Sequence, residues 1–399
     1  LGSINNILSP IFSAGFYYKT FMGPKGFWKS VYEPLIRKTA GLGKPPNEFR
    51  SKSIHLNHNV DIVIVGGGLN GLLAAKKLVG TNYDVLLIER EDSLGGILKN
   101  TGKIKEINDQ LPYEWIEKTE RLIKNSNNIR VLKNTLVTTY NFKNHLIALE
   151  DNCVGKPQDN IKPELTLHKI RTKKTILANG HIERFISFRN NDLPGVMLAG
   201  SFEKYVKNYE VIPDKNPVIF TNNSSTSSLV KILIERGLKP KAYIDIRDQK
   251  KIEKETLELL TKYSIPFYAK SEIEGCDGNK EVQKVSVRVK KDKIIKIKTS
   301  MLCVSGGFNP DVHLFTQSKG LIKWDSSLLT FKAEKPFQNT ITLGSVNGNF
   351  SYEKLIDEVN KKLSSFEGAN NLRLKLDING PKKFQIKEFW DSKHAKKSL

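Results

Sequence analysis

Cysteine is almost absent: Cys153, Cys276 and Cys303 are the only three in 399 residues, and they stand far apart. No CxxC redox pair and no zinc or iron–sulfur spacing can be drawn from them. A disulfide-built scaffold is thereby excluded, and a reduced cytoplasmic protein is the expectation. Long apolar runs are missing too, since no stretch approaches the ~20 residues that span a bilayer. The start of the chain lacks a basic-then-apolar signal pattern. It opens on Leu1 rather than Met, which points to part of a longer polypeptide. Acid is the scarce charge, with 42 Asp and Glu against 64 Lys and Arg and a net charge of +22. Such an excess raises nucleic acid or a membrane surface as a partner. The lysines, however, are spread among many Asn and Ile with no long basic run. Compositional bias of the source explains them better, and neither partner is expected.

What is present, 39% apolar residues and a mean hydropathy of −0.38, suits a globular chain of two or so domains. The reading turns on Asp61 to Arg90. An apolar run, Ile62 to Val65, leads straight into Gly66-x-Gly68-x-x-Gly71, then a helix-prone segment, then a second apolar run that ends in Glu89. This is a strand, tight turn, helix and parallel strand within the roughly thirty residues of a dinucleotide fingerprint. Gly66 permits the turn, Gly68 leaves room for a pyrophosphate, and Gly71 lets the helix pack close to the sheet. The helix N-terminus offers its unpaired N–H groups to the phosphates. Glu89 stands where a carboxylate accepts from an adenosine ribose and repels a 2′-phosphate, so NAD is favoured, with FAD as the alternative. Gly95-Gly96 lets the chain cross near the nucleotide. Arg90, and Val137 on the predicted strand Thr135 to Tyr140, complete the candidates at this end.

Further along, Trp115, Ile116, Leu122 and Ile123 recur at helical spacing and predict one buried face. Short strands are predicted at Ile129 to Leu132, His145 to Leu149 and Lys173 to Ala178. The last ends in Ala178-Asn179-Gly180, where Ala178 and Gly180 bring backbone toward the cofactor. Near Pro217 the strand–helix–strand pattern restarts, with Asp245 near the end of its second strand. Its turn, Thr221-Asn222-Asn223-Ser224-Ser225-Thr226, contains no glycine, so a backbone approach to phosphates is denied it. A last turn at Gly344 approaches the cofactor, but Ser345 stands where flavoprotein folds usually carry Asp. No metal site and no catalytic residue is assigned.

These observations predict an α/β fold of the two-dinucleotide-binding, glutathione/thioredoxin reductase-like Rossmann architecture. The expected limits are an irregular, aromatic N-terminal arm at 1–58 and a discontinuous nucleotide domain at 59–212 plus 301–366. An inserted Rossmann-like domain without nucleotide follows at 213–300, and a polar linker at 367–399. The arm carries Phe12, Phe16, Tyr17, Tyr18, Phe21, Phe27, Trp28 and Tyr32, too many aromatics to build a core of its own among so many Gly and Pro. Either it lies along this chain's nucleotide domain or it meets a partner subunit.

Several further stretches stand out: Ala14-Gly15-Phe16-Tyr17-Tyr18-Lys19-Thr20-Phe21, Tyr32-Glu33-Pro34-Leu35-Ile36-Arg37, Asn191-Asp192-Leu193-Pro194-Gly195-Val196-Met197-Leu198-Ala199-Gly200, Phe220-Thr221-Asn222-Asn223, and Val304-Ser305-Gly306-Gly307-Phe308-Asn309-Pro310 with His313-Leu314. Together they resemble one family, the alpha subunit of heterotetrameric sarcosine oxidase. The resemblance implies the middle, NAD-binding part of that subunit, without its ferredoxin-like and folate-binding domains. It implies sarcosine oxidation to glycine, with tetrahydrofolate taking the one-carbon unit and oxygen the electrons. FAD and FMN then serve in the complex, amine oxidation falls to a beta-type flavin-carrying subunit, and smaller subunits complete the assembly. A different class remains open: a nucleotide-stabilised scaffold without redox turnover, in a related amine or proline dehydrogenase complex.

Overall fold

The structure, a computed structural model, describes residues 23–39, 53–100, 103–155, 163–289, 293–378 and 384–392. It divides into two units, 1–51 and 52–399. In the first, a single π-type turn at Trp28–Tyr32 runs into helix α1 (Glu33–Thr39). Arg37 pairs with Glu33 one turn earlier, at 2.5 Å. The arm's other aromatics, Phe12 to Phe21, lie outside the described residues, as does the first of the family-like stretches.

The second unit begins with β1 (Ser53–Val65), so regular structure starts before the expected limit at 58. Alternation explains it, since Ile54, Leu56 and His58 already run at a two-residue period and pair in parallel with β7. There follow α2 (Leu69–Leu78), β2 (Val85–Ile88), β3 (Ile104–Ile107), α3 (Pro112–Lys124), β4 (Ile129–Leu132), β5 (Thr135–Asn141), β6 (His145–Asp151) and β7 (Leu165–Leu177). A seven-stranded sheet has the order β4-β2-β1-β7-β6-β5, with β20 (Thr340–Thr342) paired in parallel to β7. The carboxyl ends of β2, β1, β7 and β20 therefore stand side by side. Both faces of the parallel part are covered. Ile62 and Ile64 face α2, α3 and α8 (Leu355–Lys362), whereas Val63 and Val65 face the antiparallel strands and α7 (His313–Gln317).

On α3 the buried face is Trp115, Ile116, Thr119 and Ile123, and Leu122, expected to share it, is 43% exposed. At 100° per residue Leu122 falls on the edge of that stripe, and Thr119 at its centre.

The chain leaves this domain on β8 (His181–Glu183) and returns on β17 (Phe308–Pro310), antiparallel to each other. Between them lie β9 (Val196–Leu198), α4 (Ala199–Asn208), β10 (Val218–Thr221), α5 (Ser227–Glu235), β11 (Ala242–Asp245), α6 (Lys254–Lys262), β12 (Phe267–Ala269), the meander β13 (Glu272–Asp277), β14 (Lys284–Arg288) and β15 (Ile294–Lys298), and β16 (Leu302–Ser305). The second parallel sheet has the order β12-β11-β10-β16-β9. It thus draws in β9 and β16, which the expected limits had given to the first domain. Cys276 and Cys303 are buried on opposite faces of this sheet, which makes them packing residues. A hairpin, β18 (Leu321–Asp325) and β19 (Thr330–Lys335), follows the return.

The C-terminal residues do not behave as a linker. Phe366 and Leu372 are buried in the first core, and β21 (Leu376–Ile378) pairs with β3. Residues 384–392 lie across the glycine-free turn of the second domain. Ser224 N donates to Gln385 O at 3.0 Å, Lys387 N to Asn222 O at 2.9 Å, and Asn222 Nδ2 to both Lys387 O (2.9 Å) and Phe389 O (3.0 Å). Asn222 is fully buried beneath them. Asn222→Ala removes these two Nδ2 hydrogen bonds and a third, in which Asn223 Nδ2 donates to Asn222 Oδ1 at 3.0 Å, and is expected to cost roughly 1–3 kcal/mol. Limited proteolysis should then cut within 384–392 faster than in the parent, alongside a lower thermal midpoint. Unchanged protection would mean that the backbone hydrogen bonds and Phe389 hold the segment without the Asn222 side chain.

Candidate functional site

The cavity at the carboxyl ends of β2, β1 and β7 has a volume of about 530 Å³, within the roughly 300–1,000 Å³ of small-molecule and cofactor sites. It opens at the point where the fingerprint glycines force three backbones together. Gly66 has φ +99°, and a Cβ there would meet Ala178 O at 2.5 Å. At Gly71 a Cβ would lie 1.8 Å from Gly66 O, so the helix could not seat against the turn. Gly68 is the opposite case, with no atom within 4 Å of its would-be Cβ. It lines the cavity as N-cap of α2, whose first N–H groups have no partner within the helix.

At one end, over β2, Glu89 is buried. One carboxylate oxygen accepts from Gly67 N at 2.6 Å and the other from Glu91 N at 2.9 Å, so the turn and the acid hold each other in place. Arg90, Val137, Ala178 and Gly180 all line the cavity, Val137 from β5. Gly96 lines it as well, and a Cβ there would come 3.0 Å from Gly68 Cα. Gly95 (φ +112°) stands behind, donating its N–H to Gly67 O at 2.9 Å. Gly71 and Gly344 are likewise not on the wall. Gly344 donates to Glu358, and its missing Cβ makes room for Asn70, so Asn70 and Ser345 face the cavity in its stead.

The sequence reading missed the far end, over β7 and β20. There His181, Phe308, Phe350 and Phe384 line the wall, with ring centroids 4.3–5.7 Å apart. His181 Nδ1 lies 3.0 Å from Ser345 Oγ, and burial, with Lys103 adding to it, pushes its pKa down to about 4. These aromatics come from four distant segments, and no local pattern announces them.

At the crossover, Glu183 accepts from Gly200 N at 2.8 Å at the start of α4. Burial pushes its pKa up to about 7, against hydrogen bonds from Ser305 and Gly200 and the charge of Lys103, which favour the anion. Glu203 is driven upward by burial also. A carboxyl whose folded pKa exceeds its unfolded one binds more protons when folded, so its contribution is complete below the ordinary carboxylate range and is lost as pH rises through the folded value. Stability should therefore decline between about pH 5 and pH 8 through these groups. Urea titrations of Glu203→Gln should show a flatter pH dependence than the parent, and an identical slope would assign the decline elsewhere.

The second Rossmann unit has a different end. Asn223 Nδ2 donates to Ser305 O at 3.0 Å and its Oδ1 accepts from Ser225 N at 2.9 Å, closing the turn on itself. Asp245 is not the counterpart of Glu89. Val65 pairs with Ile88 and Thr221 with Asp245, so Ile246 holds the place of Glu89. Asp245 is instead bound by Arg247, from N at 2.8 Å and Nη2 at 2.8 Å, in a fully buried ion pair.

A cavity across the strand ends of one Rossmann unit, with a second unit carried on a two-strand crossover, defines a nucleotide-binding protein of the pyridine nucleotide-disulfide oxidoreductase-like fold. Residues 64–115 match the family model described as NAD(P)-binding Rossmann-like domain. The chain is 30% identical over 341 residues to sarcosine oxidase subunit alpha of Rhizobium meliloti (strain 1021), covering 84% of this chain and 33% of that one. It is 29% identical to the same subunit of Corynebacterium sp. (strain U-96), over 77% of this chain and 32% of that one. It therefore spans about one third of the length of these curated relatives. Over that third it is a sarcosine oxidase alpha-like protein.

Among solved structures, L-proline dehydrogenase from P. horikoshii superposes with a TM-score of 0.58 at 20% identity, over 82% of this chain and 60% of that one. T. acidophilum thioredoxin reductase does so with a TM-score of 0.59 at 14% identity, over 77% and 98%. Both share the fold. No helix among the described residues is long and apolar enough to cross a membrane.

Proposed function

We propose that this chain is the NAD-holding part of an alpha-type subunit in an oxidoreductase of the sarcosine oxidase kind. The cavity carries the reading. Its fingerprint turn, open over Gly68 and closed at Gly66 and Gly71, suits a pyrophosphate, and Glu89 beside it suits an adenosine ribose without a 2′-phosphate. Bound there, the dinucleotide supplies a hydride-accepting ring. This chain's own residues orient the phosphates, fix the ribose and cover the ring. Ser345 in place of an aspartate favours NAD over FAD. In the complex, sarcosine is oxidatively demethylated to glycine, tetrahydrofolate takes the one-carbon unit and oxygen is reduced to hydrogen peroxide. The amine is oxidised on a beta-type flavin-carrying subunit, with FAD and FMN in the assembly and smaller subunits completing it.

One observation favours the second reading, a nucleotide-stabilised scaffold in a related amine or proline dehydrogenase complex. Cys153, Cys276 and Cys303 stand far apart in the sequence and the last two are buried, so no CxxC-type thiol redox pair is built from them. Activity separates the readings. Coexpression with a beta-type subunit should yield a yellow complex that makes hydrogen peroxide from sarcosine, while the chain alone makes none. Gly68→Val fills the open space and should abolish NAD binding with little loss of thermal stability. Unchanged NAD affinity in that variant would sink the assignment, and peroxide production by the chain alone would require a catalytic site here.

A further inference from the structure

Residues 384–392 touch three separate parts of the molecule. Phe384 lines the cavity, its ring centroid 5.6 Å from that of Phe308 and 5.3 Å from that of Phe350. Ile386 lies against Gly307, just before β17, where a Cβ would meet its Cδ1 at 2.5 Å. The remaining anchors belong to the second domain and its crossover. Gln385 and Ser224 bind each other twice, Gln385 N donating to Ser224 Oγ and Ser224 N to Gln385 O, both at 3.0 Å. Lys387 donates from N to Asn222 O at 2.9 Å and from Nζ to Ile246 O at 3.1 Å. Phe389 packs edge-on against Phe220, with ring centroids 6.3 Å apart. Ser187 N donates to Trp390 O at 2.9 Å, and Ser392 N to Ser187 O at 2.8 Å. Of these nine residues Phe384 alone is on the cavity wall.

The segment is held at points and not by a ladder. It forms no helix, its two strand-like contacts are the isolated bridges Asn223 to Ile386 and Ser187 to Asp391, and Gln385, Lys387, Glu388, Trp390 and Asp391 are exposed. Segments with exposed backbone hydrogen bonds and few buried side chains open locally at a fraction of the global stability. Opening here removes Phe384 from the cavity wall and uncovers the turn at Asn222 in one event. A ligand that touches Phe384 makes that contact in the seated state only, so it draws the segment down. Linkage is reciprocal, and loosening the anchors on the second domain must weaken the ligand by the same route.

We propose that residues 384–392 are a strap whose seating on the glycine-free turn of the second domain is coupled, through Phe384, to occupancy of the cavity in the first. The inference rests on the dinucleotide reading of the cavity and is tested separately from it. Hydrogen exchange read by mass spectrometry on the whole chain, with and without saturating NAD, follows the strap directly. NAD should slow exchange across 384–392 by about 5-fold or more and leave the meander β13–β15, which has no residue on the cavity, unchanged. Phe384→Ala should weaken NAD binding and make the strap's exchange indifferent to NAD. Asn222→Ala, at a residue off the cavity wall, should weaken NAD several-fold. Lys387→Pro removes the N–H that donates to Asn222 O from an exposed position and should do the same, so the test does not depend on how the buried Asn222 variant folds. NAD binding that leaves the strap's exchange unchanged, or slows the meander equally, would overturn the coupling while the dinucleotide reading stands. Parent affinity for NAD in both the Asn222 and the Lys387 variants would overturn it as well. No NAD binding by the parent chain would overturn the dinucleotide reading and the coupling with it.

Discussion

The close approach of α2 to the end of β1 governs the rest of the structure. Gly71 seats so near Gly66 that a single methyl group would lie 1.8 Å from its carbonyl oxygen, and Gly66 in turn sits against Ala178. That contact brings the ends of β1, α2 and β7 to one point, aims the helix N-terminus across the cavity and leaves Gly68 facing open space. Glu89 then locks the turn from the other side through Gly67 N. The Glu89 end of the cavity, the open turn at Gly68 and the aromatic end follow from the strand order around that point.

The same strand–helix–strand unit occurs twice, and the contrast shows what the glycines do. In the second unit Asn222 to Thr226 replaces the glycine turn, and Asn223 folds its side chain back onto Ser305 and Ser225. Ile246 holds the strand position of Glu89, and Arg247 takes up Asp245. The chain's own residues 384–392 lie over the turn with their backbone hydrogen-bonded to it. An intramolecular segment thus satisfies the polar groups that a nucleotide would otherwise meet. It also couples the C-terminal residues to this domain, through Phe389 in its core and Ser392 N bound to Ser187 O at 2.8 Å.

Much of the first unit was legible because its signals are local. Glycine spacing, the apolar run of Ile62 to Val65 and the acid after β2 all fall within thirty residues, and the absence of glycine from Thr221 to Thr226 was as informative as its presence at Gly66. What could not be read depended on distant pairing. The far wall is assembled from His181, Phe308, Phe350 and Phe384, and at the Gly344 turn it is Asn70 and Ser345, not Gly344, that line the cavity. The segment after Glu367 looked like a linker because its few apolar residues, Leu372, Leu376, Phe384 and Phe389, lack periodicity. Leu372 and Leu376 join the first core, Phe384 the aromatic wall and Phe389 the core of the second domain, instead of building one periodic face.

The central claim is that this chain holds one dinucleotide, NAD, in the cavity over β1. Mass spectrometry and the visible spectrum of the small molecule released from the purified, denatured chain test it most directly. The account predicts NAD at one per chain with no flavin absorbance. Release of FAD, or of two nucleotides per chain, would contradict it.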